Sequence, residues 1–163
     1  MLAKYHHEIA RRKVIMLIPS ALMCLALNVY HEARGEPEIG QAAVAMVTLN
    51  RAQSQAKVCD TVAEKNQFSW TAKFVQGRDK KGFFVLTPAG QPKDEEAWYR
   101  AKVVAINALR TFKYKSGDVT QGATMFHAKN VKPYWTKFSE KTATIGSHVF
   151  YKVKDKSQVT GKA

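Results

Sequence analysis

The chain's 163 residues, 45% hydrophobic and 24% charged, suit one globular domain and exclude a disordered tail. Twenty-six Lys and Arg against 13 Asp and Glu give a net charge of +13. That excess points to an anionic partner: nucleic acid, a membrane surface or an acidic envelope polymer. Cys24 and Cys59 are too few for a disulfide scaffold or a zinc ribbon, and they leave open one disulfide or two buried thiols.

Residues 1–18 read as a basic arm, 19–153 as the folded unit and 154–163 as a polar tail. Arg11-Arg12-Lys13 before the apolar run Val14–Leu27 mimics an export signal. That run is broken by Pro19 and Ser20, is short for a membrane span, and is followed by no A-x-A site. A buried core helix explains it better. Pro19-Ser20 predicts the helix start, with Ser20 as N-cap, and Gly35 and Pro37 its end. Leu22, Leu25, Ala26 and Val29 give it one apolar face. A second helix is predicted from Glu38 to about Ala52, with Ile39, Ala42, Ala43 and Met46 as its stripe. Gln53–Lys93, rich in Gly and Pro, reads as a long irregular stretch. A third helix runs from Glu95 to Phe112, with Asp94 as N-cap and Trp98 assigned to the core. Ala123–His127 and Ile145–Val153 are strand-like and flank Pro133-Tyr134-Trp135. Helices followed by a small sheet predict an α+β fold.

Several chemistries fall away. His31-Glu32 begins H-E-x-x-H, but Gly35 stands where the second zinc ligand belongs. Gly117–Gly122 has phosphate-loop spacing without the following Lys, and no G-x-S-x-G occurs. Glu32 remains. Helical periodicity puts it on the border of the first helix's apolar stripe and puts His31 on the far, exposed side. A half-buried carboxyl at a helix C-terminus is desolvated and disfavoured by the dipole, so its pKa rises. A carboxylic acid that stays protonated near neutral pH is what glycosidic cleavage requires. A salt bridge to Arg34 or Arg51 is the competing reading. Glu36 offers a second carboxylate for a glycosidase pair, although Gly35 interrupts the helix between them and a role at the start of the second helix explains it as well. Phe68, Trp70, Phe126, Tyr134 and Trp135 supply aromatic faces suited to sugar rings.

Asn28-Val-Tyr-His-Glu-Ala-Arg-Gly-Glu36, Gly40-Gln41 and Val47-Thr-Leu-Asn-Arg51 resemble the opening of the SleB/CwlJ-like cell-wall hydrolases. Gln67-Phe-Ser-Trp70 resembles the next motif of that family. Phe126-His-Ala, Pro133-Tyr-Trp135 and Ile145-Gly-Ser-His-Val-Phe-Tyr151 resemble its closing motifs. The resemblance spans about Ala21 to Lys152. It implies a mainly helical lysozyme/lytic-transglycosylase-like domain with a small antiparallel sheet in the C-terminal half. It implies cleavage of peptidoglycan between N-acetylmuramic acid and N-acetylglucosamine, with Glu32 as acid/base and no metal or cofactor. Tyr30, Gln67, Ser69, Trp70, Phe126, His127, Tyr134 and Trp135 are then the expected substrate contacts. His31 departs from the Gly that relatives often carry there; on the exposed side it should alter only the cleft edge.

Lytic transglycosylation through Glu32 alone is the leading expectation. A hydrolytic muramidase using Glu32 and Glu36 is the first rival, and a basic nucleic-acid- or membrane-binding protein without catalysis is the second. A basic domain of this kind looks like a phage endolysin: a monomer made in the host cytoplasm without a cleavable signal, released to the wall by a holin. Its expected partners are glycan strands and the anionic envelope, with no nucleic acid. The charge excess lies mostly outside the motifs, from Lys4 and Arg11-Arg12-Lys13 to Lys154, Lys156 and Lys162, as an electrostatic anchor.

Overall fold

Pro19 sets the first turn of helix α1 (Pro19–Ala33), because a proline lacks only an N–H that has no intrahelical partner there. The computed structural model describes residues 17–154; the basic arm and tail lie outside that range apart from Leu17, Ile18 and Lys154. Ser20 is not the N-cap. The N-cap falls two residues earlier, on Ile18, with no side-chain cap bond. From Cys24 to Tyr30 every residue of α1 is buried, so this helix is the core's central rod.

Helix α2 (Glu38–Ala52) follows a short turn and ends on Gln53 in the left-handed conformation, whose N–H returns to Leu49 O at 2.9 Å. Its alanines and valines pack on α1 and on the sheet. Ile39 departs from the predicted stripe: it is 53% exposed, and Gly40, Gln41 and Ala43 are buried in its place. Helix α5 (Glu95–Tyr114) starts as expected, with the Asp94 carboxylate accepting from Ala97 N at 2.9 Å. Ala97, Ala101, Ala105 and Ala108 are its buried face, and these small side chains let it lie close against α1 and α2.

The stretch read as irregular is ordered. It holds helix α3 (Val58–Ala63), helix α4 (Ser69–Phe74) and an antiparallel hairpin of β1 (Val75–Arg78) and β2 (Phe84–Leu86), then a 3₁₀ turn at Pro88–Gly90. A disulfide joins Cys24 of α1 to Cys59 of α3, with Cα atoms 5.3 Å apart, which settles the cysteine question. Val58 and Val62 carry α3 into the same core.

The C-terminal half forms an antiparallel sheet in the order β3 (Met125–Ala128), β5 (His148–Val153), β4 (Ser139–Ile145). One face lays Phe150 against Ala43 and Val47 of α2, with Ala123 completing that small second core. Phe126, paired with Phe150 across the strands, packs against both cores. The α+β architecture expected from the sequence is the one observed.

Candidate active site

The last turn of α1 emerges from the core into a hollow of about 410 Å³. Tyr30, His31 and Glu32 supply its α1 side. Ser69, Trp70 and Phe74 of α4, with Ala89 in the 3₁₀ turn and Gln91 just after it, supply the facing wall. Each α1 residue is fixed differently. Tyr30 is buried, and its hydroxyl accepts from the N–H groups of Lys93 and Asp94, both at 3.2 Å, which ties α1 to the start of α5.

His31 corrects the helical-wheel expectation. It is half-buried, stacked on Trp70 with ring centres 4.6 Å apart and planes at 16°, and Phe74 lies 5.4 Å away. Its Nε2 lies 3.0 Å from Gly90 O, a hydrogen bond made by the Nε2–H tautomer. Burial holds its pKa below the ordinary imidazole value, so the ring stays neutral through the neutral range. The wheel located the main core correctly but could not register a second wall. That wall is tightly packed: a Cβ on Gly90 would fall 2.5 Å from Phe74 Cβ, so only glycine fits.

Trp70 is equally constrained. It is 4% exposed, and its indole N–H donates to Asn28 Oδ1 at 2.8 Å. Asn28 Nδ2 donates to Thr48 Oγ1, which donates to Val44 O, both at 3.0 Å. This buried chain of satisfied polar groups locks α4 to α1 and α2. Asn28 and Thr48 belong to the opening motifs, yet periodicity gave no sign of their role.

Glu32 is half-buried, and among the described residues it enters no ion pair. Burial pushes its pKa up, and the positive field of Arg51 opposes part of that rise. Arg51 is itself fixed: Nε donates to Thr124 O at 2.5 Å, and the guanidinium lies 5.3 Å from the centre of the Phe68 ring. Arg34 instead covers the Tyr30 ring at 5.0 Å. Neither expected salt bridge forms. Desolvation therefore favours the protonated carboxyl, and a cation nearby favours the carboxylate when the proton leaves.

Glu36 meets different surroundings. Its carboxylate accepts from Ser147 N at 2.9 Å and from the Ser147 hydroxyl, in the turn between β4 and β5. These bonds hold its pKa below the usual carboxylate range. The turn passes through Gly146 at φ +56°, and a Cβ there would collide with Glu36 Oε2. Glu36 thus joins the helical half to the sheet instead of charging the start of α2.

Of the expected substrate contacts, Tyr30, Ser69 and Trp70 share the hollow with Glu32. Gln67 sits exposed in the turn before α4 and does not line that hollow. Phe126 packs between the two cores. His127 forms a separate cluster on the sheet with Tyr151 and Trp135: Nε2 is 3.1 Å from the Tyr151 hydroxyl, and Trp135 meets both rings edge-on. Tyr134 stands beside it, 78% exposed. Lys73, Phe74 and Gln91 were missed inside the stretch read as irregular. The spacing of Trp70 and Phe74, one helical turn apart, was the available sign. Among the described residues no three His, Cys, Asp or Glu side chains gather as a metal site.

Residues 35–151 match the family model described as Cell Wall Hydrolase. That match begins after Glu32, so the placement of Glu32 rests on the geometry above and on the E-A-R-G-E motif. The fold is similar to the crystal structure of the catalytic domain of the Bacillus cereus SleB protein, with a TM-score of 0.59 and 25% identity, covering 82% of this chain and 91% of that one. It is also similar to the catalytic domain of the germination-specific lytic transglycosylase SleB from Bacillus anthracis, with a TM-score of 0.57 and 25% identity over 82% and 94% of the two chains. None of the curated proteins matches by sequence.

Proposed function

The chain belongs to the cell wall hydrolase family, and from that premise we propose that it cleaves the glycan strand of peptidoglycan between N-acetylmuramic acid and N-acetylglucosamine by lytic transglycosylation, with Glu32 as the single acid/base. The observation that carries the reading is the contrast in partners: Glu32 lines a hollow with no ion pair, whereas Glu36 is engaged by Ser147.

Glu32 in its acid form gives its proton to the glycosidic oxygen as the C1–O bond breaks, releasing the N-acetylglucosamine 4-hydroxyl. The muramic C1 passes through an oxocarbenium-like state. Its own 6-hydroxyl then closes on C1 and returns a proton to the Glu32 carboxylate. The product end is a 1,6-anhydro sugar, and the enzyme is regenerated. The field of Arg51 steadies the carboxylate between the two proton transfers. His31, backed by the buried Trp70 and Tyr30, gives a stiff aromatic edge against which a sugar ring can rest. The exposed cations of the chain anchor it to an anionic envelope, where it works as a monomer. The Cys24–Cys59 disulfide suits an oxidising compartment outside the cytoplasm.

The test compares Glu32→Gln with Glu36→Gln on purified walls. Glu32→Gln should lose about 10²- to 10⁴-fold in rate, with its circular dichroism unchanged. Glu36→Gln should keep activity within about tenfold, because the bonds it loses are structural ones. Equal inactivation of both folded variants would instead establish the paired-carboxylate hydrolase.

A further inference from the structure

The hollow that holds Glu32 is ringed by cations. Arg34 stands on its α1 rim, Lys73 on α4, and Lys93 before α5. All three are exposed, and none belongs to the ion pairs of the described residues, which are Arg78–Asp60, Arg100–Glu96 and Lys152–Glu140. The single acid among the lining residues is Glu32 itself. Asp94, next to Lys93, is occupied in capping α5. Arg34 also borders a second hollow of about 430 Å³, whose acids are Glu36 and Glu38, and Glu36 is committed to Ser147. A site of this kind carries an excess of about three positive charges around one group that must be neutral to act.

A neutral sugar offers those cations only hydroxyl and amide oxygens, whereas an anionic ligand would bind them more strongly and relieve their mutual repulsion. The general anchoring role does not account for them either, since wall attachment needs charge anywhere on the surface and not around the reacting group. We infer that Arg34, Lys73 and Lys93 form a carboxylate subsite, so that the strand segment lying in the hollow is an anionic one. This inference rests on the peptidoglycan reading and names its substrate more closely. On a peptidoglycan strand the carboxylate has two sources. The lactyl group of muramic acid either carries a peptide stem, whose residues bring carboxylates, or, stripped of its stem, ends in a carboxylate of its own. Both hang from the muramic sugar whose C1 is cut, and the three cations line the hollow that holds Glu32.

The test measures binding of three soluble glycan strands to the Glu32→Gln protein by titration calorimetry. One strand keeps its peptide stems, one has had them removed by an amidase, and one keeps its stems with every carboxyl capped as a methylamide. If the stem supplies the carboxylate, the capped strand should bind several-fold more weakly than the native one; if the lactyl group supplies it, the stripped strand should outbind both. Each exposed cation–carboxylate pair contributes about 1.5- to 5-fold, and the three together on the order of tenfold or more. In the combined variant Arg34→Gln, Lys73→Gln, Lys93→Gln that preference should collapse, with the capped strand bound as before. A charge-keeping variant, Arg34→Lys with Lys73→Arg and Lys93→Arg, should retain it, which separates charge from a folding defect. Tight binding of the stripped strand assigns the lactyl carboxylate, and weak binding assigns the stem. Equal binding of all three strands, or a preference that survives the neutralised variant, would overturn the subsite. Cleavage by the unmodified protein is read separately: if it cuts none of the strands, the proposed function fails whatever the binding shows.

Discussion

Two carboxyls stand four residues apart on either side of the turn after α1, and the molecule treats them in opposite ways. Glu32 lies on the helical side, where burial raises its pKa and only the field of Arg51 favours its charge. Glu36 lies on the sheet side, where Ser147 donates twice to it and favours its charge. The difference is not a matter of sequence position alone: Glu32 lies in the last turn of α1 and Glu36 between α1 and α2. It comes from what each is packed against: an aromatic wall with no donor for Glu32, and a glycine-containing turn with two donors for Glu36. The two aromatic groups divide in the same way. Trp70 and His31 frame a hollow, while His127, Tyr151 and Trp135 satisfy one another on the sheet. One short motif therefore contains both the proposed acid and a structural clasp, and only the surroundings separate them.

The largest break in that comparison is the exchange of Glu32 for Gln, and its pH dependence sharpens it. In the proposed reaction the protonated form is the working acid, so kcat/KM of the unmodified enzyme should fall as pH rises through the raised pKa of Glu32. The same shift acts on stability. The folded state holds this proton more tightly than the unfolded chain, so Glu32 costs stability as pH rises past the ordinary carboxyl range. Glu32→Gln should thus melt at or above the unmodified protein at pH 7, with the difference gone at acidic pH. A variant less stable at pH 7 would mean that Glu32 is a salt-bridge partner after all.

Next in size is the clasp between α1 and α3. Removing Cys24–Cys59 by the double exchange to Ser releases a closed loop of 35 residues' separation, for a loss of about 2–4 kcal/mol on chemical denaturation. If the unmodified protein shows free thiols and the exchange changes nothing, the disulfide is absent. The aromatic wall comes third. Trp70→Phe keeps the ring stack but strands Asn28 Oδ1, which should cost about 1–3 kcal/mol and loosen the hollow. Trp135→Ala leaves that wall intact and should reduce turnover less than Trp70→Phe does, if the two aromatic groups are as separate as they look in the fold.

The smallest effect belongs to Glu36. Glu36→Gln weakens two bonds that are mostly exposed, for about 1 kcal/mol at neutral pH. The sign of its pH dependence is opposite to that of Glu32. Its contribution is present above the ordinary carboxyl range and is lost as pH falls, so the variant and the unmodified protein should converge in acid. Thermal melts at pH 7 and at about pH 3 check both carboxyls together, around the ordinary carboxyl pKa values.

Helices α1, α2 and α5 were legible because each is long enough to repeat its apolar face and has a Pro, an Asp or a glycine near its ends. Helices α3 and α4 have six residues each and no side-chain cap, so little in their local sequence marks them. Val58, Val62, Cys59 and Trp70 hold them from outside, through the core and the disulfide. Strand β4, Ser-Glu-Lys-Thr-Ala-Thr-Ile, is a mostly polar edge strand whose pairing with β5 is the main thing that orders it. In the site, the half-burial of Glu32 followed from periodicity, because it depends on one helix. The burial of His31 depends on α4 and the Pro88–Gly90 turn, which no wheel drawn on α1 contains.

Glycan fragments released from purified walls decide the central claim most directly. Mass spectrometry should find muramic ends lighter by one water, the 1,6-anhydro form, with none released by Glu32→Gln. Muramic ends that are reducing and carry solvent oxygen from labelled water would contradict a single-carboxyl transglycosylase and place water, activated by a second group, in the hollow beside Glu32.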